Sequence, residues 1–266
     1  MALVITVLFS SCSTNSSDEM TVEATDSTLL ARKGQNLLWD PDLVATTHND
    51  GLDYIYTHLD ETPISDQNQT NLFFGDKSLE FVLQNGLDSK YEENVPDEFI
   101  DDDIRDFENT LSTNHSQVFS YEYYFLKDLM LDSKKDIDTK IQELTNYVPT
   151  KQLRDDYEYT MIITMAKVGK SSLEYWKSKG DAWQSALGIN TAKKDGDFNW
   201  SIIGFSDAAG AVGMAAGMVA NGSAAAMIAA GGPGGAVGVG LCIAAGGIMS
   251  SASAFTGQAI FGGWFD

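Results

Sequence analysis

Between Asp40 and Tyr175 the apolar residues recur every three or four positions, the period of a helix that buries one face. Asp40-Pro41 marks the first start, with Asp as the cap and Pro at the first helical position. Val44, His48, Leu52, Ile55 and Leu59 then follow on one stripe that ends near Pro63. Further stripes run through Leu79, Val82, Leu83 and Leu87, through Ile100, Ile104, Phe107 and Leu111, and through Val118, Phe125, Leu126 and Leu129. Ile137, Ile141, Leu144 and Val148 make another, closed by Pro149, and a long helix is predicted from Thr150 through Leu153, Tyr157, Met161, Met165, Val168 and Tyr175. Strand-like alternation with hairpin turns is missing, so the pattern predicts an all-α helical bundle.

From Trp200 the pattern changes. Sixteen of the 67 residues to Asp266 are Gly, 17 more are Ala, and only Asp207 and Asp266 are charged. Gly/Pro punctuation predicts a helix capped by Asp207 and running to Ala230, a turn at Gly231 to Gly235, and a second helix over Ala236 to Ile260. Small residues let helix backbones approach closely, so this hairpin is expected to pack through Gly213, Gly217, Gly238 and Gly246. Each arm of roughly 36 Å has the length to contact or cross a membrane. Gly is a poor helix former, however, and neither Gly nor Ala brings the transfer energy of Leu or Ile. The hairpin can therefore serve as the core of a soluble domain, as a marginal membrane span, or as a surface for a partner.

The amino-terminal segment is of another kind. Ala2 to Phe9 form an apolar run interrupted by Thr6, too short to span a bilayer, and Ser10-Ser11-Cys12 follow. Phe9-Ser10-Ser11-Cys12 resembles the lipobox of bacterial lipoproteins, although no Lys or Arg precedes the apolar run. The resemblance implies cleavage before Cys12 and lipidation of that residue, which would anchor the chain in the bacterial outer membrane, on its periplasmic or surface face. Three acyl chains hold firmly where one holds marginally. The relaxed lipobox, the acidic pair Asp18-Glu19 and the Asp26-Ser27-Thr28 string resemble features of Bacteroidota lipoproteins. The expected organisation is a signal peptide over 1–11, a tether over 12–38, an acidic helical domain over 39–199 and the Gly/Ala hairpin over 200–266.

Charge and composition narrow the function. The formal net charge is −21, and residues 40–132 hold 22 acidic against four basic groups, which repels nucleic acid and anionic headgroups. Cys242 is the one cysteine besides Cys12, so no disulfide framework exists, and His48, His58 and His115 are too scattered for a zinc motif. The acidic run Asp97, Glu98, Asp101, Asp102, Asp103, Asp106 and Glu108 lacks the Gly turn and oxygen spacing of an EF-hand and reads as a solvated helix face. Gly169-Lys170-Ser171 lacks the rest of a phosphate loop. Tyr121, Tyr123, Tyr124 and Phe125 read as packing residues, and Ser172 to Trp176 as the end of a helix docked on the core.

The most distinctive string is His48-Asn49-Asp50-Gly51-Leu52-Asp53, because His48 falls on an apolar stripe and His48, Asn49 and Asp53 form a candidate buried polar cluster. Such a His-Asn…Leu-Asp string followed by a Gly-rich end resembles a group of secreted Bacteroidota proteins, a resemblance that implies no catalytic residues. The residue-level expectation is a core histidine that donates one ring hydrogen to a carbonyl, with Asn49 capping a neighbouring helix. No nucleophile–base pair, metal site or cofactor motif is found. The sequence thus points to a non-catalytic, lipid-anchored envelope protein that acts as a structural or interaction module. The alternative is a bacteriocin-like, membrane-active protein that acts through its hairpin, which is similar in composition to the buried hairpin of colicin-type pore formers.

Overall fold

The computed structural model describes residues 35–59, 67–95, 101–187 and 199–261. The leader, the lipobox ending at Cys12, the tether up to residue 34, the Asp97-Glu98 pair and the last five residues lie outside them. The described residues are all-α, and they belong to one compact unit that begins at Arg32.

Local chemistry sets the helix starts. Helix α1 spans Pro41–Thr57, and the Asp40 carboxylate accepts from the N–H groups of Asp42 (2.9 Å) and Leu43 (3.3 Å). Helix α2 spans Gln67–Gln84, a 3₁₀ turn covers Ser89–Asn94, and α3 spans Asp101–Asn114. Helix α4 (Gln117–Leu131) is capped by Ser116 and α5 (Ile137–Thr145) by Asp136. The long helix α6 spans Asp156–Ala186 and begins six residues later than predicted, because the Asp155 side chain accepts from the Glu158 N–H at 2.9 Å. Within the preceding segment, Thr150 N–H and Arg154 N–H donate instead to Glu122 and Glu158.

The Gly/Ala region departs from the predicted hairpin in three ways. Helix α7 spans Trp200–Ala220 and is capped by Asn199, whose side chain accepts from Ser201 N–H at 3.1 Å. Asp207 is therefore not a cap but an interior residue, because the apolar run through Ile203 and Phe205 is itself helical and buried. The first arm also breaks at Asn221-Gly222, where Gly222 adopts φ +81° and the Asn221 side chain accepts from Ser223 N–H. A short α8 (Ser223–Gly231) follows, and the 29-residue α9 (Pro233–Phe261) begins three residues before the predicted Ala236 because Pro233 takes the first helical position, so the predicted turn over Gly231 to Gly235 shrinks to Gly232 at φ +54°.

Helices α7 and α9 are the interior of the bundle. They pack on each other, α7 also packs on α6, and α9 on α1 and α2. Each has a stretch apolar and long enough to cross a membrane, Trp200–Ala220 and Pro233–Phe255, yet 78% and 89% of the best windows are buried. The two backbones meet where Gly210 faces Gly246 and Ser250: a methyl group on Gly210 would lie 2.7 Å from the Gly246 carbonyl oxygen, and one on Gly246 would lie 2.6 Å from Met214 Cβ. Gly247 lies against the Asp207 carbonyl and the His48 ring.

Not all of the predicted packing glycines are contacts. Gly217 is exposed with nothing within 4 Å of its added methyl position, and Gly213 is half-buried. Gly238 approaches the flexible ends of two side chains, Met227 and Leu87, and no backbone. Gly217 lies in the last turn of α7 on its exposed side, and the close crossing with α9 falls two turns earlier, at Gly210.

Around this pair the amphipathic helices supply bulk. Trp176 stacks on Trp200 (5.7 Å between centroids, 6° between planes) and on Phe255 (5.6 Å). Trp183 joins them beside Phe74. On α4 only Tyr123 of the four predicted packing aromatics is buried, donating to Glu108, whereas Tyr121, Tyr124 and Phe125 are 42–53% exposed. Glu108, read as a solvated face, in fact pairs with Lys127 at 2.7 Å.

A buried polar seam as candidate functional site

A carboxylate in a core must be matched by donors or a counter-charge, since leaving it bare costs several kcal/mol. Asp207 is such a carboxylate, fully buried on α7. Ser172 and Trp176 of α6 both donate to Oδ2, the indole N–H at 2.9 Å, and Ser251 of α9 donates to Oδ1. From α1, His48 sets Nε2 at 3.4 Å from Oδ2, and neither ring nor carboxylate is exposed. Four helices thus converge on one charge.

The predicted cluster is only partly assembled. His48 Nδ1 lies 2.9 Å from Asn49 Oδ1, so its partner is a neighbouring side chain rather than the expected backbone carbonyl. Asn49 caps no helix. Its amide donates to the carbonyl (3.1 Å) and hydroxyl (2.8 Å) of Ser171, in the middle of α6. Asp53 stands apart: it accepts from the Tyr175 hydroxyl at 3.0 Å and sits 3.5 Å from Lys179. Burial, first of all, raises the Tyr175 hydroxyl above its ordinary range.

Four members of the seam were missing from the sequence-level cluster: Asp207, Ser172, Trp176 and Ser251. Ser172 and Trp176 do not end a helix, since α6 continues past them to Ala186. The available signal was Asp207 itself, the one acid in a segment with no other charge before Asp266.

The geometry holds a charge rather than activating a nucleophile. A catalytic serine donates its proton to an imidazole, whereas Ser172 and Ser251 donate to the carboxylate and His48 faces that same carboxylate. All four groups have at most trace exposure, so no substrate atom reaches them. Among the described residues no three His, Cys, Asp or Glu side chains stand close enough to hold a metal ion.

The surface offers a second feature. A groove of about 430 Å³ between α4, α5 and the loop after α5 is lined by Phe125, Leu129, Tyr147 and Val148, with Gln142 and Asn146 at its edge. Its floor is fixed from below: the Tyr147 hydroxyl donates to buried Glu122 at 2.8 Å, and Phe125 stacks on Tyr147 at 6.0 Å. Glu143 also lines the groove and is paired with Lys135 at 2.6 Å. Comparison of the chain with protein-family models, with curated proteins and with solved structures gives no match.

Proposed function

We propose that the protein is a non-catalytic bacterial envelope lipoprotein, anchored through lipid on Cys12, whose acidic helical domain is a structural or interaction module. The observation that carries the reading is the burial of α7 and α9: the Gly/Ala segment is the core of the domain, so the domain needs no membrane to hide it. The lipobox string Phe9-Ser10-Ser11-Cys12 supports the anchor. The exposed Tyr121, Tyr124, Phe125 and Val148 beside the α4–α5 groove support interaction rather than a purely architectural role.

The test is Cys12→Ala in a host with lipoprotein-processing enzymes. The parent is expected to take up labelled palmitate and to fractionate with membranes, and the variant to do neither. A parent that carries no label would refute lipid anchoring. A second reading, a membrane-active protein, is favoured by one observation, the two helices of bilayer-spanning length and composition. The lack of any Lys or Arg beyond Lys194 weighs against spontaneous attraction to anionic lipid.

A further inference from the structure

We propose that His48 and Asp207 form an imidazolium–carboxylate latch: the charge on Asp207 keeps the two bilayer-length helices inside the water-soluble bundle, and removing that charge lets them enter a lipid bilayer. The proposal goes beyond the module reading and holds whether or not Cys12 is lipidated.

Hydrogen positions follow from the heavy atoms. Because Asn49 Nδ2 donates to both the carbonyl and the hydroxyl of Ser171, its amide oxygen is the atom turned toward His48 Nδ1. An amide oxygen only accepts, so Nδ1 carries a hydrogen. On the other edge of the ring Nε2 has no hydrogen-bond partner and faces Asp207 Oδ2 at 3.4 Å. A bare Nε2 would set its lone pair against an oxygen that already accepts from Ser172 and Trp176. A hydrogen on Nε2 turns that repulsion into attraction, and the pair then carries no net charge.

The latch matters because of where Asp207 sits. It is the eighth of the 21 residues of α7, three from the middle residue, or about 4.5 Å along the axis at 1.5 Å per residue. In a bilayer the carboxylate would lie close to the centre of the hydrocarbon, where a lone Asp disfavours insertion roughly a hundredfold. From Ala208 to Phe265 the chain has no Asp, Glu, Lys, Arg or His, so no other side-chain charge opposes insertion of the pair. In the bundle the same carboxylate is met by α1, α6 and α9 together. Asp207 is therefore the one side-chain charge in a helix pair whose length and composition otherwise suit a bilayer.

The experiment uses the full chain with Cys12→Ala, so that lipidation plays no part, and vesicles of zwitterionic phosphatidylcholine, so that the net charge of −21 meets no headgroup charge. Three variants are compared with this parent by vesicle flotation and by quenching of tryptophan fluorescence with brominated acyl chains, Trp200 standing at the first turn of α7. Asp207→Asn removes the charge. His48→Gln/Asp207→Asn removes both members of the pair while keeping neutral donors and acceptors, and it decides the matter if the single variant fails to fold. Leu173→Ala loosens the contact of α6 with Gly204 on α7 and leaves the charge in place.

Both variants that lack the Asp207 carboxylate are expected to partition between tenfold and a hundredfold more than the parent, with quenched tryptophan, and Leu173→Ala to partition as the parent does. Nitrogen NMR of the parent is expected to find hydrogens on both ring nitrogens of His48. Folded variants that lack the Asp207 carboxylate and stay off the vesicles would overturn the proposal. So would equal partitioning by Leu173→Ala, or a bare Nε2.

Discussion

A single methyl group placed at two positions of α7 should act in opposite directions. On Gly210 it would lie 2.7 Å from the Gly246 carbonyl oxygen and 2.6 Å from Ser250 Cβ. Ordinary contacts are about 3.5 Å or more, and a backbone oxygen in mid-helix cannot rotate away, so α7 and α9 must part by about 0.8 Å. A gap of that size forfeits a quarter to a half of each contact's well of ~0.1–0.2 kcal/mol; over several dozen atom pairs at a tight crossing this is about 1–3 kcal/mol, as for other overpacked cores. The higher helix propensity of Ala offsets about 1 kcal/mol. On exposed Gly217 the methyl meets nothing within 4 Å, so the propensity gain stands alone. Gly210→Ala and Gly217→Ala should thus differ by about 2 kcal/mol, or roughly 4–8 °C in melting temperature, with Gly210→Ala the less stable. Urea and thermal unfolding followed by circular dichroism measure the difference. Equal stabilisation by both substitutions would refute the close crossing of α7 and α9.

Two further outcomes rest on buried groups of the outer helices. Burial, opposed by Glu158 and reinforced by Arg154, holds the His115 ring below its ordinary value of 6.5. The unfolded chain then binds that proton more tightly, so the stability His115 contributes is whole above pH 6.5 and shrinks as the pH falls below it. His115→Phe keeps a ring against Phe119 and should flatten the drop in melting temperature between pH 7 and pH 5.5; an unchanged slope would count against the burial argument. Glu122 accepts from Thr150 N–H (2.7 Å), Thr150 Oγ1 (2.6 Å) and the Tyr147 hydroxyl (2.8 Å), so Glu122→Ala strands three donors and should cost about 3 kcal/mol in urea unfolding. A loss under about 0.5 kcal/mol would mean that water replaces the carboxylate.

Helix stripes were legible because the amphipathic helices carry their own burial code: Val44, Leu52 and Ile55 are fully buried as their spacing predicts. The Gly/Ala helices carry no such code, since small apolar residues surround α7 and α9 on every side and no stripe marks which face meets which neighbour. Contact glycines therefore could not be chosen by composition, and the Asn221-Gly222 break, a turn signal in its own right, lay hidden among other glycines. His48 was legible as an oddity on an apolar face. Its partner was not, because Asp207 is 159 residues away and offered a plausible local use as a cap. Two lone polar residues, one on an apolar stripe and one in a charge-free segment, each needed a partner that nothing near it supplied.

The seam also settles a problem that small residues create. A Gly/Ala surface looks much the same after a slide of one turn, about 5.4 Å, so close packing alone defines the register of α7 against α9 weakly. Asp207 does not tolerate that slide. Moving α9 by one turn would carry the Ser251 hydroxyl out of reach of Oδ1 and bring Gly247 or Phe255 to its place, neither of which has a side-chain donor. The carboxylate would lose one of its three donors in the core, a cost of about 1–3 kcal/mol that the shifted apolar contacts do not return. Ser172 and Trp176 bind the same residue to α6, and His48 ties it to α1. Packing supplies the attraction between α7 and α9, and the one charge they bury selects the register in which that attraction is expressed.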